Sequence, residues 1–145
     1  MTLPQIELIV RAVVAEGSRL LLAQPSGEAW YFLPGGHVEP GEPVAIALRR
    51  ELEEELGIHD VRIGGVLAIS ENRYTDERGD HHEVNLLHRV AVREVIDGSR
   101  EAHIGFRWVE RSEFDDVEIR PASIADLLRS GIPGPEIAVR TDGFP

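Results

Sequence analysis

The stretch from Gly36 to Ile58, GHVEPGEPVAIALRRELEEELGI, constrains this chain more than any other. It opens on a glycine turn and runs through Pro40-Gly41-Glu42-Pro43. It then enters a helical pattern in which positions 51–55 hold four glutamates, closed by Gly57. At about 100° per residue, Glu51 and Glu55 lie one turn apart with Glu54 between them, so three carboxylates share a face. Their Cβ atoms are expected roughly 5–6 Å apart, a spacing at which like charges disfavour a helix by about 0.2–0.5 kcal/mol per pair. Such a cluster reads as one awaiting a cation. Leu48, Leu52 and Leu56 fall on a different face and supply the core contact, leaving the carboxylates to face a cleft.

The rest of the chain supplies a frame for that helix. Ile6 to Ala15 is rich in Ile and Val and reads as a buried strand. Glu16-Gly17 turns it into a second strand, Arg19 to Gln24, as a hairpin. Trp30-Tyr31-Phe32-Leu33 is a short aromatic strand leading into Pro34-Gly35-Gly36. Pro43 suits the first position of a helix that runs to Leu56, and Gly57 is placed to end it. Val61 to Ser70 and Val84 to Val95 read as strands separated by a polar loop from Glu71 to His82, and Phe106 to Val109 as a last short strand. Pro121, Ile124, Leu127, Leu128 and Gly131 mark a second helix. The tail 132–145, rich in Pro and Gly, is expected to be loosely held. Strands mixed with two helices imply an α/β chain with a mixed sheet packed between helices. At 145 residues the expectation is one domain, 1–145, with one core.

Charge narrows the partners. With 15 basic against 26 acidic residues the formal net charge is −11, which argues against nucleic acid or an anionic membrane surface. A small anionic substrate would need metal ions to approach such a chain. The absence of cysteine removes disulfides, thiolate zinc sites and a cysteine nucleophile. The first apolar run is interrupted by Glu7 and Arg11, too short and too charged for a membrane span or signal peptide, so a cytoplasmic protein is the default expectation. The histidines at 81, 82, 88 and 103 match no zinc spacing and read as exposed loop residues.

The stretch 36–58 resembles the Nudix box. That pattern is Gly, five residues, Glu, seven residues, Arg-Glu, an apolar residue, any residue, Glu-Glu, any residue, Gly and an apolar residue. Gly36, Glu42, Arg50, Glu51, Leu52, Glu54, Glu55, Gly57 and Ile58 fill every fixed position. A chance match at one start is on the order of 10⁻⁹. The Trp-to-Pro-Gly-Gly approach and the Phe-Arg-Trp-Val strand also look Nudix-like, which extends the resemblance from Ile6 to about Leu128.

The resemblance implies an α/β/α sandwich around a central mixed sheet. It also implies Mg²⁺- or Mn²⁺-dependent hydrolysis of a nucleoside diphosphate linked to another group: a dinucleoside polyphosphate, nucleotide sugar, ADP-ribose or nucleoside triphosphate. Hard divalent ions with oxygen ligands neutralise a diphosphate and activate water, which suits carboxylates on a rigid helix. By resemblance Glu51, Glu54 and Glu55 are metal ligands with the Gly35 carbonyl. Gly36 and Gly57 shape the motif, and Glu42 and Arg50 order it through an ion pair. The general base is a box glutamate, Glu54 or Glu55, or one from a later loop, for which Glu101 is the candidate. Glu94, Asp97 and Glu71 compete with it, and Gly105 stands where many relatives carry another glutamate.

Trp30 and Tyr31 are candidates to stack on a base. Tyr74, sixteen residues after Ile58, stands where relatives acting on dinucleoside polyphosphates often place a tyrosine. Core packing explains the aromatic residues equally well. Homodimers are frequent in the family. The alternative is a catalytically silent module that binds a nucleotide such as ADP-ribose, although such modules commonly lose box carboxylates. The isoprenoid diphosphate isomerases of the same fold use a catalytic cysteine, which this chain lacks.

Overall fold

The computed structural model describes residues 5–131 and 136–145. Its centre is a five-stranded mixed sheet. Strand β1 (Glu7–Val13) is an interior strand of it, while β2 (Ala15–Glu16) and β3 (Arg19–Pro25) follow in a smaller sheet. Next come β4 (Trp30–Tyr31), β5 (Gly35–His37) and helix α1 (Val44–Leu56). Two long strands, β6 (Val61–Asp76) and β7 (Gly79–Val92), precede β8 (Ile104–Glu110), β9 (Glu118–Ile119), helix α2 (Ala122–Ser130) and β10 (Ala138–Asp142). The large sheet has the order β10-β6-β7-β1-β5, with β1 parallel to β7 and antiparallel to β5.

Alternation along β1 explains why it sits inside. Val10 and Ala12 pack with Leu48, Leu52 and Leu56 of α1. Val13 packs on the opposite side with Ile124, Leu127 and Leu128 of α2. A strand covered on both faces reads as a nearly continuous apolar run. The two clusters make the α/β/α sandwich, as expected from the sequence. Helix α1 ends on Gly57, whose φ of 65° is left-handed and whose N–H donates to the Glu53 carbonyl at 2.8 Å. That φ is cheap for glycine alone. Pro43 is the N-cap residue, one position before the expected one.

Three expectations change. First, the hairpin from Ile6 to Gln24 is only local. β2 pairs with β3, but β1 leaves for the large sheet, because Val10 and Ala12 need α1 on one side and Val13 needs α2 on the other. Second, the polar stretch from Glu71 to His82 is no loop; it forms the arms of the β6–β7 hairpin, paired from Asn72–Glu83 to Asp76–Gly79. Its polar side chains satisfy one another across the strands, Thr75 to Asp80 at 2.7 Å and Glu71 to His82 at 2.6 Å, and cross-strand pairs of this kind stabilise a sheet. His81, His82 and His88 therefore lie on a strand. Third, much of the tail is ordered by pairing. Ala138 to Asp142 run parallel to Ala68 to Asn72, and Asp142 Oδ2 accepts the Ser123 N–H at 2.8 Å at the start of α2. Of the tail expected to be loose, residues 132–135 lie outside the described residues.

Candidate active site

The glycines before α1 make the site possible by leaving space. Gly35 has φ 141°, and a Cβ there would lie 1.9 Å from the Val10 carbonyl oxygen. A Cβ on Gly36 would lie 2.5 Å from the Glu51 carboxyl group. So β5 presses its backbone against β1 on one side and receives the Glu51 carboxylate on the other.

Arg50 organises the acidic cluster. Its Nε and Nη2 donate to the two Glu42 oxygens at 2.8 and 2.9 Å, and Nη2 also donates to the His37 carbonyl at 3.0 Å. Nη1 reaches Glu51 Oε1 at 3.0 Å and Glu54 Oε2 at 3.4 Å. A guanidinium fork suits this bidentate geometry. Hydrogen bonding to Arg50 holds the Glu42 carboxyl down at about 2, and the same pair pushes the Arg50 guanidinium above its ordinary value.

The three carboxylates expected to share a face differ sharply in surroundings. Glu54 is half exposed, with 51 % of its side chain open to solvent, and the Glu51 side chain is 16 % exposed. Glu55 is buried at 3 %, and its Oε2 has no hydrogen-bond partner among the described residues. Burial pushes the Glu55 carboxyl up to about 8, the neighbouring Glu51 charge pushes the same way, and Arg11 and the Gly35 backbone oppose them. Burial raises Glu51 as well, against the pull of Arg50. Two desolvated carboxyl groups, one with an orphaned oxygen, form a site that a cation would complete by replacing the proton that burial favours. The donors are hard oxygens of the kind Mg²⁺ and Mn²⁺ take, so the residues present fit such an ion. Among the described residues no three acidic or imidazole side chains are gathered at coordinating distance.

Glu101 arrives from the loop before β8. Arg100 N donates to the Glu55 carbonyl at 2.7 Å, and the Glu101 charge is one of those acting on the Glu55 carboxyl. The Glu101 side chain is partly exposed and 3.1 Å from His103. The competing acids are engaged elsewhere. Glu94 Oε1 accepts the His59 and Asp60 N–H groups, Asp97 lies 3.7 Å from Arg100, and Glu71 pairs with His82.

The aromatic candidates separate. Tyr31 is buried in the α2-side core, and its hydroxyl accepts from Arg107 at 3.1 Å. Trp30 is half-buried beneath Arg120, 4.6 Å from the ring centroid. Tyr74 stacks on His81 at 4.6 Å and donates to Glu83 Oε1 at 2.9 Å. Through Glu83 the exposed Tyr74 caps a buried polar network that sequence reasoning missed: Asn85 donates to Asn72 at 3.0 Å, and Asn72 to Glu83 at 3.5 Å. Arg11 joins it from β1 through Asn85 at 3.2 Å. The signal that could have found it is Arg11, a charge in the middle of a mostly apolar strand.

Comparison with known proteins identifies the family of the chain. The NUDIX domain family model matches residues 6–128. The Mycobacterium tuberculosis protein named "Putative 8-oxo-dGTP diphosphatase 2" is 32% identical over 137 residues, covering 86% of this chain and 89% of its own length. Human 8-oxo-dGDP phosphatase NUDT18 is 38% identical over 56 residues, 36% of this chain and 17% of that protein. Among solved structures, the MutT NUDIX hydrolase of Burkholderia pseudomallei superposes with a TM-score of 0.70 at 25% identity, over 86% of this chain and 97% of that one. With a complete box running from β5 through α1 to Ile58 and a family match over most of its length, the chain belongs to the Nudix hydrolase family.

Proposed function

We propose that this protein is a divalent-metal-dependent pyrophosphohydrolase that cleaves the diphosphate linkage of a nucleoside diphosphate derivative. Oxidised purine deoxynucleotides are the first substrate class to test. The observation that carries the metal-dependent reading is Glu55, a buried carboxyl with an orphaned oxygen beside a second desolvated carboxyl. The names of the Mycobacterium tuberculosis and human relatives supply the substrate class.

In this reading Glu51, Glu54, Glu55 and the Gly35 carbonyl would hold the ion, Mg²⁺ or Mn²⁺. When bound, such an ion neutralises diphosphate charge and makes water more acidic. Arg50 keeps Glu51 pointed inward and ties the loop through Glu42 and the His37 carbonyl. Glu101, the residue after Arg100, whose N–H donates to the Glu55 carbonyl, accepts the proton of the attacking water, while Glu54 and Glu55 are the alternatives within the box. Water oxygen bonds to phosphorus, the bridging P–O bond breaks, and the leaving phosphate departs as a phosphorylated product.

The test is a hydrolysis screen with Mg²⁺ over oxidised and normal nucleoside triphosphates and diphosphates, dinucleoside polyphosphates, nucleotide sugars and ADP-ribose, with products identified. Release of a nucleoside monophosphate from one class is the expected result. Turnover of none, or equal turnover in excess EDTA, overturns the reading. A second expectation concerns Arg50. Arg50→Met keeps the helix but frees Glu42 and Glu51, and residues that orient metal ligands typically contribute about 10–100-fold to activity or metal affinity. The Mg²⁺ concentration for half-maximal rate should rise by that order, while Arg50→Lys recovers only part of it, lacking the fork. An unchanged Mg²⁺ dependence in Arg50→Met would show that the arginine merely decorates the loop.

A further inference from the structure

We infer that Arg11 is a substrate-binding residue of this site, its free guanidinium nitrogen donating to a phosphoryl oxygen of the bound diphosphate. The inference rests on the hydrolase reading above and adds to it a residue that lies outside the box.

Arg11 sits in the middle of β1, opposite Gly35 of β5 on one side and Leu87 of β7 on the other. Its side chain is half-buried and passes over Phe32, 5.6 Å from the ring centroid. Two of its three nitrogens are committed to neutral acceptors. Nη1 donates to the Leu33 carbonyl at 3.0 Å and Nε to Asn85 Oδ1 at 3.2 Å. Asn85 is itself buried and held by Asn72. The fork is therefore fixed in place before any ligand arrives, which lowers the ordering cost of binding.

The third nitrogen, Nη2, has no hydrogen bond among the described residues, and it is not among the buried atoms that lack a partner. It remains open to an incoming acceptor. No described carboxylate forms an ion pair with Arg11, in contrast to Arg50, which contacts three. Gly35, opposite Arg11 across the β1–β5 pair, has its backbone hydrogen-bonded to the Glu55 carboxyl, and Glu83 first, then Glu55 and Glu51, act on the guanidinium from beyond contact distance. Holding a largely desolvated guanidinium with no direct counter-ion is costly, and a sequence concerned only with packing would place an apolar residue there. A guanidinium matches phosphate geometry and stays charged at any working pH. In a chain of net charge −11, a fixed cation beside the carboxylates gives a polyanionic substrate an anchor independent of the metal.

The competing explanation is structural: Arg11 ties the Leu33 carbonyl to the sheet and so holds the segment entering β5. That role predicts a loss of stability with no selective loss of substrate affinity.

The two separate in steady-state kinetics of Arg11→Met and Arg11→Lys on the best substrate from the screen, with inorganic pyrophosphate in Mg²⁺ as a competing ligand. A substrate-binding Arg11 gives Arg11→Met a KM and a pyrophosphate inhibition constant raised about 10-fold or more, with kcat less affected, and Arg11→Lys falls between it and wild type. Unchanged KM and inhibition constants in either folded variant overturn the inference. Should Arg11→Met fail to fold, Arg11→Lys decides alone by the same readout. Should wild type turn over nothing, the hydrolase reading fails by itself. Arg11 is then judged on pyrophosphate binding by calorimetry, where equal affinity of wild type and Arg11→Lys overturns it and weaker binding by the variant supports it.

Discussion

Glu55→Gln is expected to lose about 10²–10⁴-fold in turnover, the range typical of a group that assists proton transfer or holds the catalytic ion, and to gain stability in the absence of metal. The two effects share one cause. The Glu55 carboxyl is pushed up to about 8 by burial and by Glu51, above the 4.5 of an ordinary glutamate. Below about pH 4.5 both folded and unfolded chains carry the proton and the group contributes nothing to the difference. Between 4.5 and 8 the unfolded chain ionises first while the folded chain keeps its proton, so metal-free stability falls as pH rises. Above 8 the whole cost is present, on the order of a few kcal/mol. Gln keeps the shape without the charge. Its melting temperature in EDTA should exceed wild type at pH 8.5 and match it near pH 4. Saturating Mg²⁺ should reverse the order, because an ion that binds only the folded carboxylate stabilises it by mass action. Identical melting of the two proteins in EDTA at pH 8.5 would place the Glu55 carboxyl in solvent and remove the main support for a cation there.

Gly35→Ala is the second large effect. The added Cβ would lie 1.9 Å from the Val10 carbonyl oxygen, 2.9 Å from its carbon and 3.1 Å from the Arg11 Cα, all backbone atoms of a central strand. No rotamer relieves such a contact, and a φ of 141° is unfavourable for any residue with a Cβ. Relief requires β5 to separate from β1, which loosens the register that sets Gly36 against Glu51. The expected outcome is loss of most activity together with a lower melting temperature, whereas Gly65→Ala, with open space around it and no left-handed φ, should be much milder. Hydrogen exchange would locate the damage in the β1–β5 pairing. A Gly35→Ala protein with wild-type activity and melting temperature would mean that the strands can part without cost to the site.

Much of the architecture was legible because local rules and tertiary demands agree. The helix from Val44 to Leu56 carries its leucines on one face and its stop at Gly57, and all three leucines are in the core. The extent of the family resemblance, Ile6 to about Leu128, coincides with the match over 6–128. Legibility failed where polar residues are satisfied by partners distant in sequence. Asn72 falls in the expected loop and Asn85 in an expected strand, and neither identity announces burial, but across the β6–β7 hairpin they and Glu83 are joined by hydrogen bonds and become buried. Single-residue polarity cannot anticipate this, because the cost of burying such groups vanishes only when the partner is present.

The sequence by itself determined the family, the helix that carries the carboxylates and the residues of the box, since these depend on identities at fixed spacings along one segment. Tertiary structure alone decided how those residues differ. Glu54 and Glu55 are neighbours in sequence, yet one faces solvent and the other is sealed beside Gly35 and Glu51, because the glycine backbone of β5 packs over one position and leaves the other open. Tertiary structure also placed Arg11, 25 residues before Gly36, next to the cluster by pairing β1 with β5. Burial and long-range proximity are properties of the packed sheet and helix together, and no local stretch of the chain encodes them.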